Sequence, residues 1–240
     1  GDYVIGDATL NRFFSLHYLL PVLVVPALVV VHLIALHETG SNNPDGVEIK
    51  KKKNEKGVPL DGIPFHPYYT VKDIVGVIVF LMVFAVVMFF WPEGGGYFLE
   101  YNNFIPADPL VTPPHIAPVW YFTPYYSLLR AVTYPLFGID AKFWGVVAMG
   151  AGVMIFAFLP WLDRSPVKSI RYRGPIFKTL LAIWVVVFFV LGYLGVLAPT
   201  PGRTIVAQIC SVYYFLFFLT MPIWSSLDRC QPEPDRVTMK

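Results

Sequence analysis

Long apolar runs separated by polar segments dominate this chain. Five of the runs contain no Asp, Glu, Lys or Arg, and they cover residues 13–36, 74–91, 143–162, 179–200 and 204–227. A helix needs about 20 apolar residues to cross the hydrocarbon core of a bilayer, and each run is close to that length or exceeds it. Because the runs are continuous and do not alternate in short strands, and because peptide groups cannot stay unpaired in lipid, we predict transmembrane helices and not a barrel.

Composition supports the same fold class. The 240 residues are 56% hydrophobic and only 14% charged, which is too little charge to cover a soluble globule. We therefore predict an all-α fold, a polytopic bundle of about five transmembrane helices. Residues 92–142 contain too many prolines and polar residues for a further span. The aromatic stretch "PPHIAPVWYFTPYYSLLRAV" within them predicts an amphipathic helix at the outer surface, or a plain interfacial aromatic belt.

The distribution of basic residues predicts the orientation of the chain. If the segments after the first, third and fifth runs are cytoplasmic, that side holds 14 Lys and Arg residues and the other side holds 4. This asymmetry follows the positive-inside rule, so we predict an outer N-terminus and a cytoplasmic C-terminus. The lysine run "EIKKKKNEK" is interpreted as a solvated loop that sets orientation, with a specific anionic-lipid or partner site as the alternative.

The first apolar run carries two histidines in an environment where polar groups are rare. His17 and His32 are 15 residues apart, which in an ideal helix places them about 60° from a common line and about 22 Å apart along the axis. Pro21 and Pro26 lie between them, and a proline bend or a π-bulge could improve the alignment. Each histidine could be a buried residue bonded to a neighbouring helix. Two on one face favour a functional role, such as one axial ligand for each of two haems.

Three polar side chains are expected at the inner membrane surface. His37 and Ser41 end the first run, and Asp73 precedes the second. A histidine, a hydroxyl and a carboxylate at one membrane surface could hold or transfer protons. The alternative is that His37 and Asp73 only stabilise helix ends through the helix dipole.

Several long motifs resemble one family, the cytochrome b subunit of the cytochrome bc quinol oxidase complexes. The motifs are "ATLNRFFSLHYLLP", "HETGSNNP", "IPFHPYYTVKD", "ADPLVTPPHIAPVWYF" and "PWLDRS", and they cover essentially the whole chain. The resemblance implies a bundle of eight helices, of which this sequence is similar to the last five. It divides the chain into residues 1–44, the haem-ligating helix and its loop, and residues 45–240, which include an outer quinol segment at 106–133.

The resemblance implies two b-type haems as cofactors. His17 would bind the iron of the low-potential haem near the outer surface, and His32 that of the high-potential haem near the cytoplasm. One helix supplies one ligand per iron, so the other pair is expected from the N-terminal part of cytochrome b. The first residues, "GDYVIGDATLN", resemble the middle of a loop, which agrees with that expectation. The 15-residue interval is one longer than in mitochondrial-type members and resembles chloroplast-type relatives.

Two quinone sites are also implied by the resemblance. Residues that match the quinone-reduction site are His37, Ser41, Phe65, Lys72 and Asp73, with ubiquinone as the expected substrate.

Residues that match the quinol-oxidation site are Pro118, Val119, Trp120, Tyr121 and Tyr126. The commonest form of this tetrapeptide has a glutamate where this chain has Val119. Valine cannot accept a proton, so proton release is expected to use another acceptor.

The resulting functional hypothesis is a quinol:cytochrome c oxidoreductase subunit in a bacterial inner membrane. Electrons would pass from quinol through the haems to quinone, coupled to proton translocation. Expected partners are a Rieske iron–sulfur protein, a cytochrome c1-type subunit, the lipid bilayer and a second copy of the complex, with no nucleic acid. The alternatives are a dihaem membrane anchor of a dehydrogenase, a transporter whose histidines relay protons, and a structural subunit. The final segment "QPEPDRVTMK" is predicted to be a disordered tail.

Overall fold

A computed structural model describes residues 6–96, 99, 101–106, 108, 110–111 and 116–238. Within these residues all regular secondary structure is helical, which confirms the all-α prediction. Five helices are long and apolar enough to cross a membrane, as predicted. They are α1 (Asp7–Thr39), α2 (Tyr68–Phe90), α4 (Ala141–Leu162), α5 (Pro175–Val196) and α6 (Pro201–Leu219), and two shorter helices are α3 (Thr123–Ala131) and α7 (Met221–Leu227).

The helix boundaries differ from the apolar runs where backbone chemistry overrides hydrophobicity. The last run was expected to continue to residue 227, but α6 ends at Leu219 and α7 begins at Met221. Pro222 has no backbone N–H to continue the α6 ladder, so the helix is interrupted before it. At the other end of α6, Thr200 is the N-cap, and its side chain accepts a hydrogen bond from the Arg203 backbone N–H at 3.4 Å.

The chain forms two compact units. One contains residues 1–43 and 48–114, and the other contains residues 44–47 and 115–240. In the second unit α3 lies at the centre and packs against α4, α5 and α6. The buried core of this unit includes Leu128 of α3, Leu191 of α5 and Tyr214 of α6. The Tyr214 hydroxyl donates a 2.7 Å hydrogen bond to the Gly152 carbonyl of α4, so even the polar atom of this buried ring is satisfied.

Glycines allow α3 to approach its neighbours closely. A Cβ added at Gly145 of α4 would lie 2.5 Å from the Leu129 carbonyl oxygen, and one at Gly195 of α5 would lie 2.7 Å from the Thr123 carbonyl carbon. Real side chains essentially never make such short contacts with backbone atoms. The small residues therefore set the distance between α3 and the two long helices, as small residues do between membrane helices in general.

Helices α1 and α2 belong to the other unit and have a different character. None of the described residues of either helix is buried. At its end α1 stops at Gly40, which has a φ of 80° and whose N–H donates to the Leu36 carbonyl at 2.7 Å. The Lys50 ammonium donates to the Glu38 carbonyl at 3.0 Å, which places a positive charge at the negative end of the helix dipole.

The prediction of a disordered C-terminal segment was wrong for its described residues. Asp45 is fully buried, and its carboxylate accepts hydrogen bonds from the Arg171 guanidinium at 3.0 Å and the Tyr172 hydroxyl at 2.9 Å. The same carboxylate accepts from the backbone N–H of Thr238 at 2.7 Å and from its hydroxyl at 3.0 Å. The backbone bond from Thr238, followed by the Tyr172, Thr238 and Arg171 side chains, lowers the pKa of Asp45 to about 2. The tail is therefore held by a buried carboxylate nearly two hundred residues earlier in the chain.

Candidate functional site

A π-helical turn separates the two histidines of α1. The turn covers Leu20–Val24, and the N–H of Val25 donates to the Leu20 carbonyl five residues earlier. Pro26 cannot donate to the Val22 carbonyl, so the α-helical ladder is interrupted at this point. The structure thus contains the π-bulge that the sequence offered as one way to align the histidines. One turn of this kind accommodates an extra residue, so the interval behaves like about 14 α-helical positions, or roughly 40° from a common line instead of 60°.

The imidazoles of His17 and His32 are exposed and available as ligands. No ring nitrogen of either histidine has a hydrogen-bond partner among the described residues. No group of three or more potential metal-binding side chains occurs among the described residues. Each histidine presents one exposed imidazole, which could act as a single ligand, for example at an axial position of haem iron.

The residues predicted for the inner quinone site lie near the C-terminal end of α1 and near the N-terminal end of α2. Phe65 lies just before α2 and stacks on Tyr69, with a ring-centroid distance of 5.9 Å and an interplanar angle of 20°. The Lys72 ammonium lies 5.1 Å from the centroid of the same Tyr69 ring. Tyr69 was missed by sequence reasoning, although its spacing of four from Phe65 and three from Lys72 would place it between them on one helix face.

His37 and Asp73 differ in how they relate to helix ends. His37 lies in the last turn of α1, as expected for a side chain that interacts with the helix dipole. Asp73 does not open its helix, because α2 begins five residues earlier at Tyr68 and has no acidic residue in its first turn. Among the described residues, no hydrogen bond or ion pair joins His37 or Ser41 to Lys72 or Asp73. The residues predicted for the inner quinone site are thus exposed, and among the described residues no direct polar contact joins those near the end of α1 to those of α2.

The outer tetrapeptide forms the entry to α3. Val119 precedes a 3₁₀ turn at Trp120–Phe122, and the Thr123 hydroxyl donates to the Trp120 carbonyl at 2.7 Å. This bond fixes the backbone, whereas the side chains remain exposed, Trp120 by 75% and Tyr121 by 52%. The Trp120 and Tyr121 rings meet edge to face at 5.5 Å. Within the predicted outer segment 106–133, positions 107, 109 and 112–115 lie outside the described residues.

Tyr126 lies one turn into α3, half-buried, and contacts a residue that sequence reasoning did not select. The guanidinium carbon of Arg130 lies 4.7 Å from the centroid of the Tyr126 ring. The interval of four residues on a helix, aromatic followed by cation, was the available signal. Ser127 and Leu128, between these two residues in sequence, are both buried in the second unit. The outer set is therefore attached to a packed core.

Fold and site define a polytopic helical membrane protein in which one helix carries two available imidazoles at different depths. Two family models match the chain: "Cytochrome b(N-terminal)/b6/petB" over residues 1–96 and "Cytochrome b(C-terminal)/b6/petD" over residues 106–215. The chain belongs to the cytochrome b family. The division at residue 44 proposed from the sequence stays a prediction.

Curated relatives and a solved structure agree with this assignment. The chain is 58% identical to a cytochrome b of Allochromatium vinosum over 99% of this chain and 58% of the relative. It is 44% identical to a cytochrome b of Rhodospirillum rubrum over 98% of this chain and 53% of the relative. The solved structure, a hyperthermophilic respiratory Complex III, has a TM-score of 0.77 and 40% identity and is matched over 95% of this chain and 54% of that chain. The chain thus spans little more than half the length of these relatives.

Proposed function

We propose that this chain is part of a cytochrome b that takes electrons from quinol at an outer site and delivers them to quinone at an inner site. The activity would be that of a quinol:cytochrome c oxidoreductase, coupled to proton translocation. The observation that carries the proposal is the π-turn between His17 and His32, which brings two exposed imidazoles closer to one line along α1. Neither imidazole has a hydrogen-bond partner among the described residues. The family membership supports a haem-binding role for them.

Two b-type haems, one near each membrane surface, would supply the electron-carrying chemistry. His17 and His32 would each provide one axial nitrogen, separated by roughly 20 Å along α1. Two carriers divide a hydrocarbon core of about 30 Å into shorter steps. The opposite ligands would come from the N-terminal part of cytochrome b. What this chain contributes is the placement of one imidazole at each depth.

At the inner site the chain would bind quinone, with ubiquinone as the expected form. Phe65 would offer an aromatic face, already stacked on Tyr69. Lys72 and Asp73 lie next to each other in the second turn of α2 and would supply charge near the quinone oxygens. His37 and Ser41 would hold or transfer protons, since an imidazole and a hydroxyl can each both donate and accept a hydrogen bond.

At the outer site Pro118, Val119, Trp120, Tyr121 and Tyr126 would line the quinol pocket. Trp120 and Tyr121 present exposed aromatic surface on a backbone that Thr123 holds in place. Val119 has an apolar side chain that cannot take a proton, so the acceptor would be a group outside this tetrapeptide. A histidine of the partner iron–sulfur protein is one chemically suitable acceptor.

The wider assembly would be a complex of the Complex III type. The proposed partners are a Rieske iron–sulfur protein, a cytochrome c1-type subunit and a second copy of the complex. A relative named cytochrome b/c1 from Bradyrhizobium diazoefficiens, 42% identical over 99% of this chain and 32% of that protein, supports a c1-type partner. The proposed location is a bacterial inner membrane, which the bacterial relatives support. The distribution of basic residues, 14 against 4, supports an orientation with the N-terminal side of α1 outside and the C-terminus in the cytoplasm.

The test is substitution of each histidine in the full-length protein within its complex. His17→Ala is expected to remove the outer b haem and His32→Ala the inner one, measured as loss of one component in a reduced-minus-oxidised optical spectrum with redox titration. His66→Ala is the matched control, because His66 lies outside α1 and its Nδ1 pairs with the Thr70 hydroxyl at 3.2 Å. Retention of both haems in either α1 variant contradicts the ligand assignment.

A further inference from the structure

Arg130 is held in one position by the end of a neighbouring helix. Its Nη1 donates to the Leu197 carbonyl at 3.0 Å, and its Nη2 donates to the Leu194 carbonyl. Leu194 is in the last turn of α5, which ends at Val196, and Leu197 follows directly. Carbonyls at a helix C-terminus lack intrahelical partners and carry the negative end of the dipole. A guanidinium fork therefore matches this position both in charge and in geometry.

The same guanidinium lies against the ring of Tyr126. The distance of 4.7 Å between the guanidinium carbon and the ring centroid is within the range of a cation–π interaction. The Nε atom of Arg130 is buried and has no partner among the described residues. The guanidinium is thus held by its two Nη bonds and lies over one face of the Tyr126 ring.

The backbone that carries both side chains is itself fixed. Ser127, between them on α3, is 1% exposed, and its hydroxyl donates to the Leu191 carbonyl of α5 at 2.5 Å. Together with Arg130 it gives α3 three side-chain bonds to carbonyls spaced three residues apart, two in α5 and the third at Leu197 directly after it. The helix that carries Tyr126 and the guanidinium that lies over its ring are therefore both held by hydrogen bonds to the C-terminal part of α5 and the residue after it.

We propose that Arg130 is a positioning residue for Tyr126 in the outer quinol site, and this rests on the function proposed above. Arg130 does not contact quinol. It fixes the plane of the Tyr126 ring, so that the ring presents a preformed aromatic wall. A lysine at this position keeps the charge but has neither the fork that bonds both carbonyls nor the plane that supports the ring.

The experiment uses the complete complex in native membranes. Arg130→Lys is expected to weaken the binding of an outer-site inhibitor by about three- to thirtyfold, the range of a partly desolvated cation–π contact. The apparent KM for quinol is expected to rise more than kcat falls, while b-haem content and inner-site inhibitor binding stay unchanged. Should Arg130→Lys fail to assemble, judged by haem content, Arg130→Gln replaces it.

Arg203→Lys is the matched control. Arg203 also donates to a carbonyl after α5, that of Ala198 at 2.8 Å, but it has no aromatic contact among the described residues. Equal effects of the two arginine substitutions would overturn the positioning role, because they would reduce Arg130 to a helix cap.

A double-mutant cycle separates this inference from the function on which it rests. Tyr126→Leu alone is expected to weaken outer-site binding, and adding Arg130→Lys is expected to have little further effect. Additive losses would overturn the coupling while leaving Tyr126 in the site. If Tyr126→Leu alone leaves inhibitor binding unchanged, the assignment of Tyr126 to the outer site fails, and the positioning role fails with it.

Discussion

The closest approach of α3 to α5 gives a sharp prediction for Gly195. A Cβ at this position would lie 2.7 Å from the carbonyl carbon and 2.8 Å from the Cβ of Thr123, whereas ordinary contact begins at 3.4 Å. The difference, 3.4 − 2.7, requires a retreat of at least 0.7 Å between the two helices. The carbonyl carbon belongs to the backbone, and the backbone also fixes the position of the Thr123 Cβ, so no side-chain rotation can relieve the clash. Overpacking of this kind destabilises a protein by about 1–3 kcal/mol.

The functional consequence of Gly195→Ala follows from the position of Thr123. This residue begins α3, two residues after Tyr121, and its hydroxyl fixes the Trp120 carbonyl. A displacement near 1 Å in a binding geometry can lower a rate by about a hundredfold. We expect a fall in quinol oxidation per b haem of about tenfold or more in Gly195→Ala membranes, together with a lower melting temperature of the complex.

Gly192→Ala provides the control on the same helix. A Cβ at Gly192 would lie 3.5 Å from the Cγ of Pro124, which is ordinary contact. Both substitutions replace glycine by alanine in a helix and gain about the same helix propensity, roughly 1 kcal/mol. They differ in the steric contact with the start of α3. Equal turnover and equal melting temperature in the two variants would refute the reasoning that Gly195 sets the helix distance.

Two further predictions concern the carboxylate of Asp45 and the valine that occupies position 119 in place of a glutamate. The pKa of Asp45 is held near 2, below its ordinary 3.8, chiefly by the Thr238 backbone bond, so its stabilisation of the tail is complete above about pH 4 and is lost as pH falls toward 2. Limited proteolysis with an acid-active protease should show the tail released over that window, and Asp45→Asn should release it already at pH 7. Val119→Glu should fold and shift the pH profile of quinol oxidation, because it adds a titratable group to an exposed position; an unchanged profile argues against a role of this position in proton release.

The membrane-spanning helices could be predicted because their signal is local. Each span is a run without charge, and helix formation satisfies all peptide groups within the run itself. The π-turn in α1 was also within reach, since Pro21 and Pro26 mark the place where the ladder must be interrupted. Boundaries were less accurate where amphipathic turns extend a span. Helix α1 begins at Asp7, six residues before its uncharged run, because polar residues outside the hydrocarbon core continue the helix.

The attachment of the C-terminal tail could not be predicted from local pattern. "QPEPDRVTMK" has the composition of a solvated tail, and two prolines exclude a helix. Its order comes from long-range bonds. Among them are the bonds from Thr238 to Asp45, 193 residues apart in sequence, and the bond from the Gln231 N–H to the Tyr172 carbonyl. Asp45 alone gave no signal either, because Asp in "NNPDG" is equally typical of an exposed turn. Only the fold brings four donors to one carboxylate.

For the candidate site, too, the sequence predicted which residue types are present but not how they are arranged. The motif identified Tyr126. The role of Arg130 can be identified only from its hydrogen bonds to carbonyls at the end of α5 and just after it, more than sixty residues later in the chain. Similarly, the spacing of Phe65, Tyr69 and Lys72 is visible in sequence. The contacts of the Tyr69 ring with both other side chains depend on α2 beginning before Asp73, at Tyr68. Residue types can be proposed from sequence, and the residues that orient them require the packing.

The two units should respond differently to substitution, because burial is distributed unequally between them. In the second unit the proposed outer site stands on buried residues of this chain, including Leu128 at 1% and Leu191 at 0% exposure. Truncating such a side chain leaves a cavity inside the unit, which destabilises a protein by about 2–5 kcal/mol. On α1 no described residue is buried, so truncation there removes contacts only with whatever surrounds the helix in the membrane. Sensitivity of α1 to apolar truncation would therefore measure its packing against lipid, haem or other helices, and sensitivity of α3 would measure the integrity of the fold described by this chain.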